Sequence, residues 1–452
     1  SPDGRTIAFT EQATPHTGGG QQRSLQLVTV ADGGITPLGA RGSVPLFAPD
    51  GKTIAYTGQA PNAPGAGPTG GNNDIFAFTP GSPARDLTAP IDRNMARALW
   101  LPDGRSLLVG GNDATRVSLW IQPLDGPARK LDLGDVSPAS SFWVDMNVGT
   151  HGEIAFTGSS AMRPAELYYK ASVTAPVQRL TDLNKDVASL AIARTDVVVW
   201  QNDGFTENGL LTYPPDFDPS RKYPLVLLIH GGPRAASLLS FSGAPQLMAA
   251  HGWVVFQPNY RGSDNLGAAY SRAIRNDAGD GPGRDVWAGL EAVKQRGFVD
   301  QSRIGVSGWS YGGYMTTWMI GHYTGWTAAV AGASVTDQLD QYNLGDGNGG
   351  RGNASPWVDP KAMERTREQS PITYASKMKT PTLIMSDTGD YRVPITQSFK
   401  LYHALMDNGV ATKFIAYPVT GHSPNDPVRQ RDVQRRWIGW FEEYLGKKVG
   451  TQ

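Results

Sequence analysis

Gly308-Trp309-Ser310-Tyr311-Gly312 sets one serine between two glycines. The residues before it, Arg303 to Ser307, are small or β-branched and read as a short buried strand. Those after it, Ser310 to Ile320, read as a buried helix. A Gly-x-Ser-x-Gly between strand and helix is a nucleophile elbow, a turn so sharp that the neighbouring residues must be small. The helix N-terminus favours the negative charge that develops during acyl transfer. A serine hydroxyl is a weak nucleophile without a base, and the base needs a partner that fixes its tautomer. With an elbow, the order along the chain is nucleophile, acid, histidine. Downstream of Ser310, the loop after Leu383-Ile384-Met385 carries Asp387 and Asp390. Asp390 lies deeper in that loop and is the expected acid. His422, after Phe414-Ile415-Ala416-Tyr417, is the expected base. His230 and His251 precede the serine, His322 and His403 fall within helical segments, and His16 and His151 belong to the N-terminal repeats. Upstream, His230-Gly231-Gly232-Pro233 follows an apolar strand, and its glycines let a backbone N–H approach a substrate oxygen. No His-Glu-x-x-His or comparable ligand spacing points to a metal.

The elements that must hold these residues alternate strand with helix. Leu225 to Ile229 is apolar on both faces, as a central parallel strand must be. Further runs follow at Trp253–Phe256, Ala328–Ala331, Thr382–Met385 and Lys413–Tyr417. Asp285 to Arg296 presents Val286, Leu290 and Val293 on one helical face, with Gly297 as its stop. A second helix starting at Pro394 is expected to turn Phe399, Tyr402, Leu405 and Met406 inward, and Val428 to Leu445 forms a third. This alternation predicts a mostly parallel sheet covered by helices, the α/β-hydrolase arrangement, over residues 204–452.

Residues 1–203 read differently. Ser1-Pro2-Asp3-Gly4-Arg5-Thr6-Ile7-Ala8-Phe9 recurs near Pro49-Asp50-Gly51 and Pro102-Asp103-Gly104, and more weakly at His151-Gly152. The period is roughly 50 residues, that of one four-stranded propeller blade. In each Pro-Asp-Gly, Pro presets φ, Asp caps its own backbone and Gly accepts positive φ. Second strands are expected at Leu25–Val30, Asp74–Phe78, Ser118–Ile121 and Glu166–Lys170, with a degenerate remnant at Leu190 to Trp200. The fold expected is therefore a partial β-propeller of about four blades, incomplete at its N-terminus, followed by an α/β-hydrolase domain. A β-sandwich with similar turns is the alternative, but unrelated hairpins would not repeat one turn at one period. Ser1 opens on a blade turn, so the chain is expected to be the C-terminal part of a longer protein. Pro61 to Asn73 and Gly345 to Gly352 read as loops, the second bordering either the active-site entrance or open solvent.

Lys plus Arg equals Asp plus Glu, 41 each, so no global field favours nucleic acid or a membrane surface. No apolar run is long enough to span a bilayer. The absence of cysteine excludes disulfides, thiolate metal sites and a cysteine nucleophile, and leaves the compartment open.

The chain resembles the prolyl oligopeptidases, and within them the acylaminoacyl-peptidase-like branch. The matching stretches are Tyr223-Pro224, His230-Gly231-Gly232-Pro233, Pro258-Asn259-Tyr260-Arg261-Gly262-Ser263, Gly308 to Met315, Gly389-Asp390-Tyr391-Arg392-Val393-Pro394 and Gly421-His422. The resemblance implies Ser310 as nucleophile, Asp390 as acid and His422 as base. It also implies an oxyanion hole from the backbone N–H groups of Gly232 and Tyr311, with Arg392 touching a substrate carbonyl beside the cleaved residue. Two departures stand out: Ser386-Asp387 replaces the His-Gly usual at the start of the acid loop, and the family's propeller has roughly twice the blades visible here. Short peptides are the expected substrates, with no cofactor, no metal and no nucleic-acid or membrane partner. A further copy of the chain or a missing propeller segment is the expected protein partner. A carboxylesterase on the same fold, or an inactive propeller interaction protein, are the rival readings.

Overall fold

The computed structural model describes residues 1–12, 23–59, 71–140, 143–347 and 355–446. The loop expected between Pro61 and Asn73, and that between Gly345 and Gly352, lie largely outside these residues.

The repeated turn works as its residue types require. Asp50 Oδ1 accepts from the backbone N–H of Lys52 and Thr53, and Asp103 Oδ1 from those of Arg105 and Ser106. Gly4, Gly51 and Gly104 sit at φ 71°, 68° and 63°, where a Cβ would be strained. The first turn precedes the first strand of its antiparallel sheet, and the other two join the first and second strands of theirs. The first has three strands (Thr6–Gln12, Arg23–Thr29, Ile35–Arg41). The second (Ser43–Phe47 to Arg85–Asp86) and the third (Met95–Trp100 to Arg129–Lys130) have four strands each. The fourth (Ser137–Pro138 to Gln178–Arg179) has five. Three apolar clusters fill this stack, centred on Tyr56 and Phe76, on Leu107 and Trp120, and on Leu119 and Phe156.

The remaining strands form one eight-stranded sheet: β1 (Thr195–Asn202), β2 (Phe205–Thr212), β3 (Tyr223–Ile229), β4 (Val254–Pro258), β5 (Val299–Trp309), β6 (Ala328–Gly332), β7 (Thr382–Gly389) and β8 (Thr412–Thr420). Their spatial order is β1-β2-β4-β3-β5-β6-β7-β8. The β1–β2 and β2–β4 pairs are antiparallel and all others parallel. The main covering helices are α1 (Gly243–Ala250), α2 (Asp280–Lys294), α3 (Tyr311–His322), α4 (Thr396–Asp407) and α5 (Pro427–Leu445). A separate apolar cluster fills each face of the sheet, with Val286, Leu290 and Val293 of α2 in one and Trp437 and Phe441 of α5 in the other.

Two expectations are corrected. Leu190 to Trp200 is no blade remnant: Thr195–Asn202 is edge strand β1, joined to β2 by an Asp203-Gly204 turn with both residues at positive φ. A boundary at 203 therefore cuts a hairpin. Buried Val198 and Trp200 alternate with exposed Val197 and Val199, the same period of two that a blade strand shows. In α4 the inward residues are Leu401 and Leu405, whereas Phe399 and Met406 are nearly half exposed. The buried stripe runs through Gln397, whose side chain accepts from the N–H of Thr336 and Asp337 and so carries a polar residue into the core.

The seam between the stacked sheets and the hydrolase body is made by the segments after β3 and after β4. Asp264 accepts from the side-chain amides of Asn112 (2.7 Å) and Asn94 (3.3 Å). Ala114 and Asn265 exchange two bonds, and Asp92 accepts from Ala268 N–H. Leu239 N–H donates to the Thr115 carbonyl, Phe241 N–H donates to Ser159 Oγ, and Leu238 packs on the apolar cluster of the third and fourth sheets.

Candidate active site

Ser310 ends β5 and caps α3 with φ 63° and ψ −122°, a strained conformation for a residue with a Cβ. It is held there by its own N–H, which donates to the Gly332 carbonyl (2.9 Å), and by its carbonyl, which accepts from Tyr314 N–H (2.9 Å). A Cβ on Gly312 would lie 2.1 Å from the Ile229 carbonyl oxygen, and one on Gly308 would lie 2.5 Å from the backbone of Gly312. Both positions exclude every side chain.

The expected acid and base come from the loops after β7 and β8. His422 Nδ1 lies 2.7 Å from Asp390 Oδ2, and the Asp390 side chain is fully buried. The other oxygen, Asp390 Oδ1, accepts from the N–H groups of Arg392 (2.8 Å) and Val393 (2.9 Å). Three donors thus converge on this carboxylate, which keeps it aimed. Asp387, the other candidate acid, makes no hydrogen bond through either oxygen among the described residues. Burial, then the nearby charge of Asp390, pushes it up to about 6. His422 Nε2 is buried without a partner among the described residues, so the expected hydrogen bond to Ser310 is absent. Among the described residues the imidazole is anchored from its Nδ1 side alone.

Gly232 has φ 121°, and a Cβ there would meet Arg234 N at 2.6 Å. The Tyr311 side chain is anchored by its hydroxyl on the Ala278 carbonyl (2.5 Å) and stacks on Tyr260. His230 is held by Ser263 Oγ at 3.0 Å and stacks on Tyr260, and burial pushes it down to about 4. It is a neutral brace under the glycine turn. Ser310, Gly232, Tyr311 and Arg392 line one cavity of about 570 Å³. Arg392 is paired with Asp346 (2.7 Å), so the described end of the glycine-rich loop borders this cavity, as Gly347 also does.

Two contributors escape the sequence reading. Trp309, inside the elbow, donates Nε1–H to the carbonyl of His422 at 2.8 Å. Arg234, directly after the glycine turn, lines the cavity and donates to the Gly71 carbonyl at 2.5 Å. Both lie beside motif residues, but no spacing rule marks a tryptophan as a histidine's anchor.

Residues 239–448 match the model of the prolyl oligopeptidase family. The chain is 29% identical over 373 residues to an uncharacterised peptidase, YuxL, of Bacillus subtilis, covering 77% of this chain and 53% of that protein. It is 28% identical over 500 residues to dipeptidyl-peptidase 5 of Aspergillus oryzae, covering all of this chain and 65% of that one. It therefore spans between half and two thirds of these relatives. Among solved structures, the acylaminoacyl peptidase of Pyrococcus horikoshii superposes with a TM-score of 0.84 at 22% identity, over 99% of this chain and 70% of that one. A puromycin-hydrolysing peptidase of Mycobacterium tuberculosis gives 0.72 at 18% identity, over 100% and 79%.

Proposed function

We propose, for a chain whose catalytic region belongs to the prolyl oligopeptidase family of serine peptidases, that it hydrolyses short peptides through an acyl-enzyme on Ser310. The observation that carries this reading is the 2.7 Å Asp390–His422 contact across the same end of the sheet as a serine held at positive φ on a cavity wall.

In this reading Ser310 Oγ attacks the scissile carbonyl and gives its proton to His422 Nε2, the nitrogen left free by the Asp390 bond. The tetrahedral oxyanion takes hydrogen bonds from the N–H groups of Gly232 and Tyr311, fixed donors that need no reorganisation. Collapse breaks the C–N bond, and the leaving amine takes the proton from His422. Water, deprotonated by the same imidazole, then attacks the ester carbonyl and restores Ser310. Arg392 holds the carbonyl of the preceding substrate residue once Asp346 shares it. The four N-terminal sheets belong to a propeller whose remaining blades lie in further chain, and the division of the molecule falls near residue 194. That the matched relatives are longer, this chain covering 53% of one and 65% of the other, supports this view.

The test is labelling with a fluorophosphonate, followed by mass mapping of the modified peptide and assay on matched peptide anilides and simple esters. A label on Ser310 with turnover of anilides is expected. A label elsewhere, or cleavage of esters alone, overturns the peptide reading.

A further inference from the structure

Among the described residues, the cavity that holds Ser310 is lined by four arginines, Arg234, Arg275, Arg365 and Arg392, and by one acid, Asp277. The acid is occupied: its two oxygens accept from the N–H groups of Asp280 and Gly281, both at 2.9 Å, and so cap α2. Arg392 is neutralised by Asp346, and Arg365 reaches Asp359 only at 3.9 Å. Arg234 and Arg275 have no ion pair among the described residues, and no Asp or Glu occurs in 60–70 or 348–354.

Arg234 is the informative one of the two. Arg275 is exposed, and an exposed guanidinium is satisfied by water. Arg234 is partly buried, and burial pulls its proton affinity below the usual guanidinium value, with only the more distant Asp264 opposing this. Asp264 itself is taken up by Asn94 and Asn112. A guanidinium has five N–H donors, and among the described residues one is used, on the Gly71 carbonyl. Desolvating a charge without pairing it is costly, so a cation left in this state in a concave site marks a missing anion. The planar fork matches a carboxylate.

We infer that the cavity recognises a substrate carboxylate through Arg234, which sits two residues beyond the glycine turn beside Ser310. The carboxylate is either an acidic side chain near the cleaved bond or a free C-terminus just beyond it. This deepens the peptidase reading and rests on it, naming acidic short peptides as the preferred substrates.

Binding without turnover tests the inference independently of catalysis. In a Ser310→Ala background, Kd is measured by calorimetry for two peptide pairs. One pair is blocked at both ends and differs by Glu against Gln. The other is neutral in its side chains and differs by a free C-terminal carboxylate against its amide. At least one acidic member should bind about tenfold tighter than its neutral mate, a difference of about 1.4 kcal/mol. The pair that shows it identifies the source of the carboxylate. Adding Arg234→Gln should abolish the ratio, Arg234→Lys should retain part of it, and raising salt should shrink it. Equal Kd values within both pairs, or a ratio that survives Arg234→Gln, overturns the inference. Turnover of a neutral peptide by the unmodified protein is read separately: its absence would sink the hydrolytic reading and leave the binding ratio to stand or fall alone.

Discussion

Trp309 Nε1 and the carbonyl oxygen of His422 are joined at 2.8 Å, so the residue before the proposed nucleophile holds the backbone of the proposed base. The indole is itself fixed: a Cβ on Gly332 would fall 2.1 Å from its ring. Trp309→Phe keeps an aromatic ring there and removes the donor. Its cost in stability should be about 1 kcal/mol, while kcat falls about tenfold as the imidazole loses its register. Thermal melts and steady-state kinetics on one preparation would check both. An unchanged kcat would show that the bond only decorates the loop.

Ser310→Ala should remove hydrolysis of peptides and esters together. Only the residual rate supported by the oxyanion donors and binding remains. Activity above about a hundredth of the unmodified rate would show that another group is the nucleophile.

Asp387 gives a pH signature. Its folded-state value near 6 lies above the ordinary 3.8, so the native state binds the proton more tightly than the unfolded chain. The stability this contributes is complete below about 4 and is lost as pH rises to about 6. Asp387→Asn should remove this loss, raising stability at neutral pH by up to about 3 kcal/mol and not at pH 4. Urea melts across that range measure it. The charged groups that act on Asp387 are Asp390, His422 and Arg429.

Gly312→Ala and Gly439→Ala form a matched pair. At 312 the new methyl would overlap the Ile229 carbonyl, and the loss should exceed about 3 kcal/mol or prevent folding. At 439, inside α5, nothing lies within 4 Å, and the better helix former should gain up to about 1 kcal/mol. Denaturant midpoints decide the pair, and a mild effect at 312 would mean that the elbow is looser than its contacts indicate.

The sequence carried the site wherever backbone demands restrict residue type. Gly308, Ser310 and Gly312 are legible because only glycine fits beside the strained serine, and the Pro-Asp-Gly turns because each residue has one mechanical task. Asp390 could be preferred over Asp387 by depth in the loop alone, although both are buried and only one meets the histidine. Thr195–Asn202 was misread because an edge strand and a blade strand share one period, and hydrophobic pattern does not say which sheet a strand joins. Gln397 shows the same limit, since a polar side chain buried with its partners breaks the apolar stripe that fixes a helix's phase. Arg234 and Trp309 act through contacts with residues distant in the chain, Gly71 and His422, which no local pattern encodes.

The seam at Asp264 and Asn265 has a consequence for how a peptide would enter under the proposed activity. Leu238 aside, the contacts described there are amides, carbonyls, carboxylates and one hydroxyl, and water can replace each of them at little net cost. Parting the two bodies would wet a surface that is already wettable, so the barrier to opening is set by how many small bonds must break together. Such a hinge is a solvent-exchangeable zipper: sub-denaturing urea should loosen it before the core of either body responds, and bulky peptides should gain access while small esters, which need no opening, show no change.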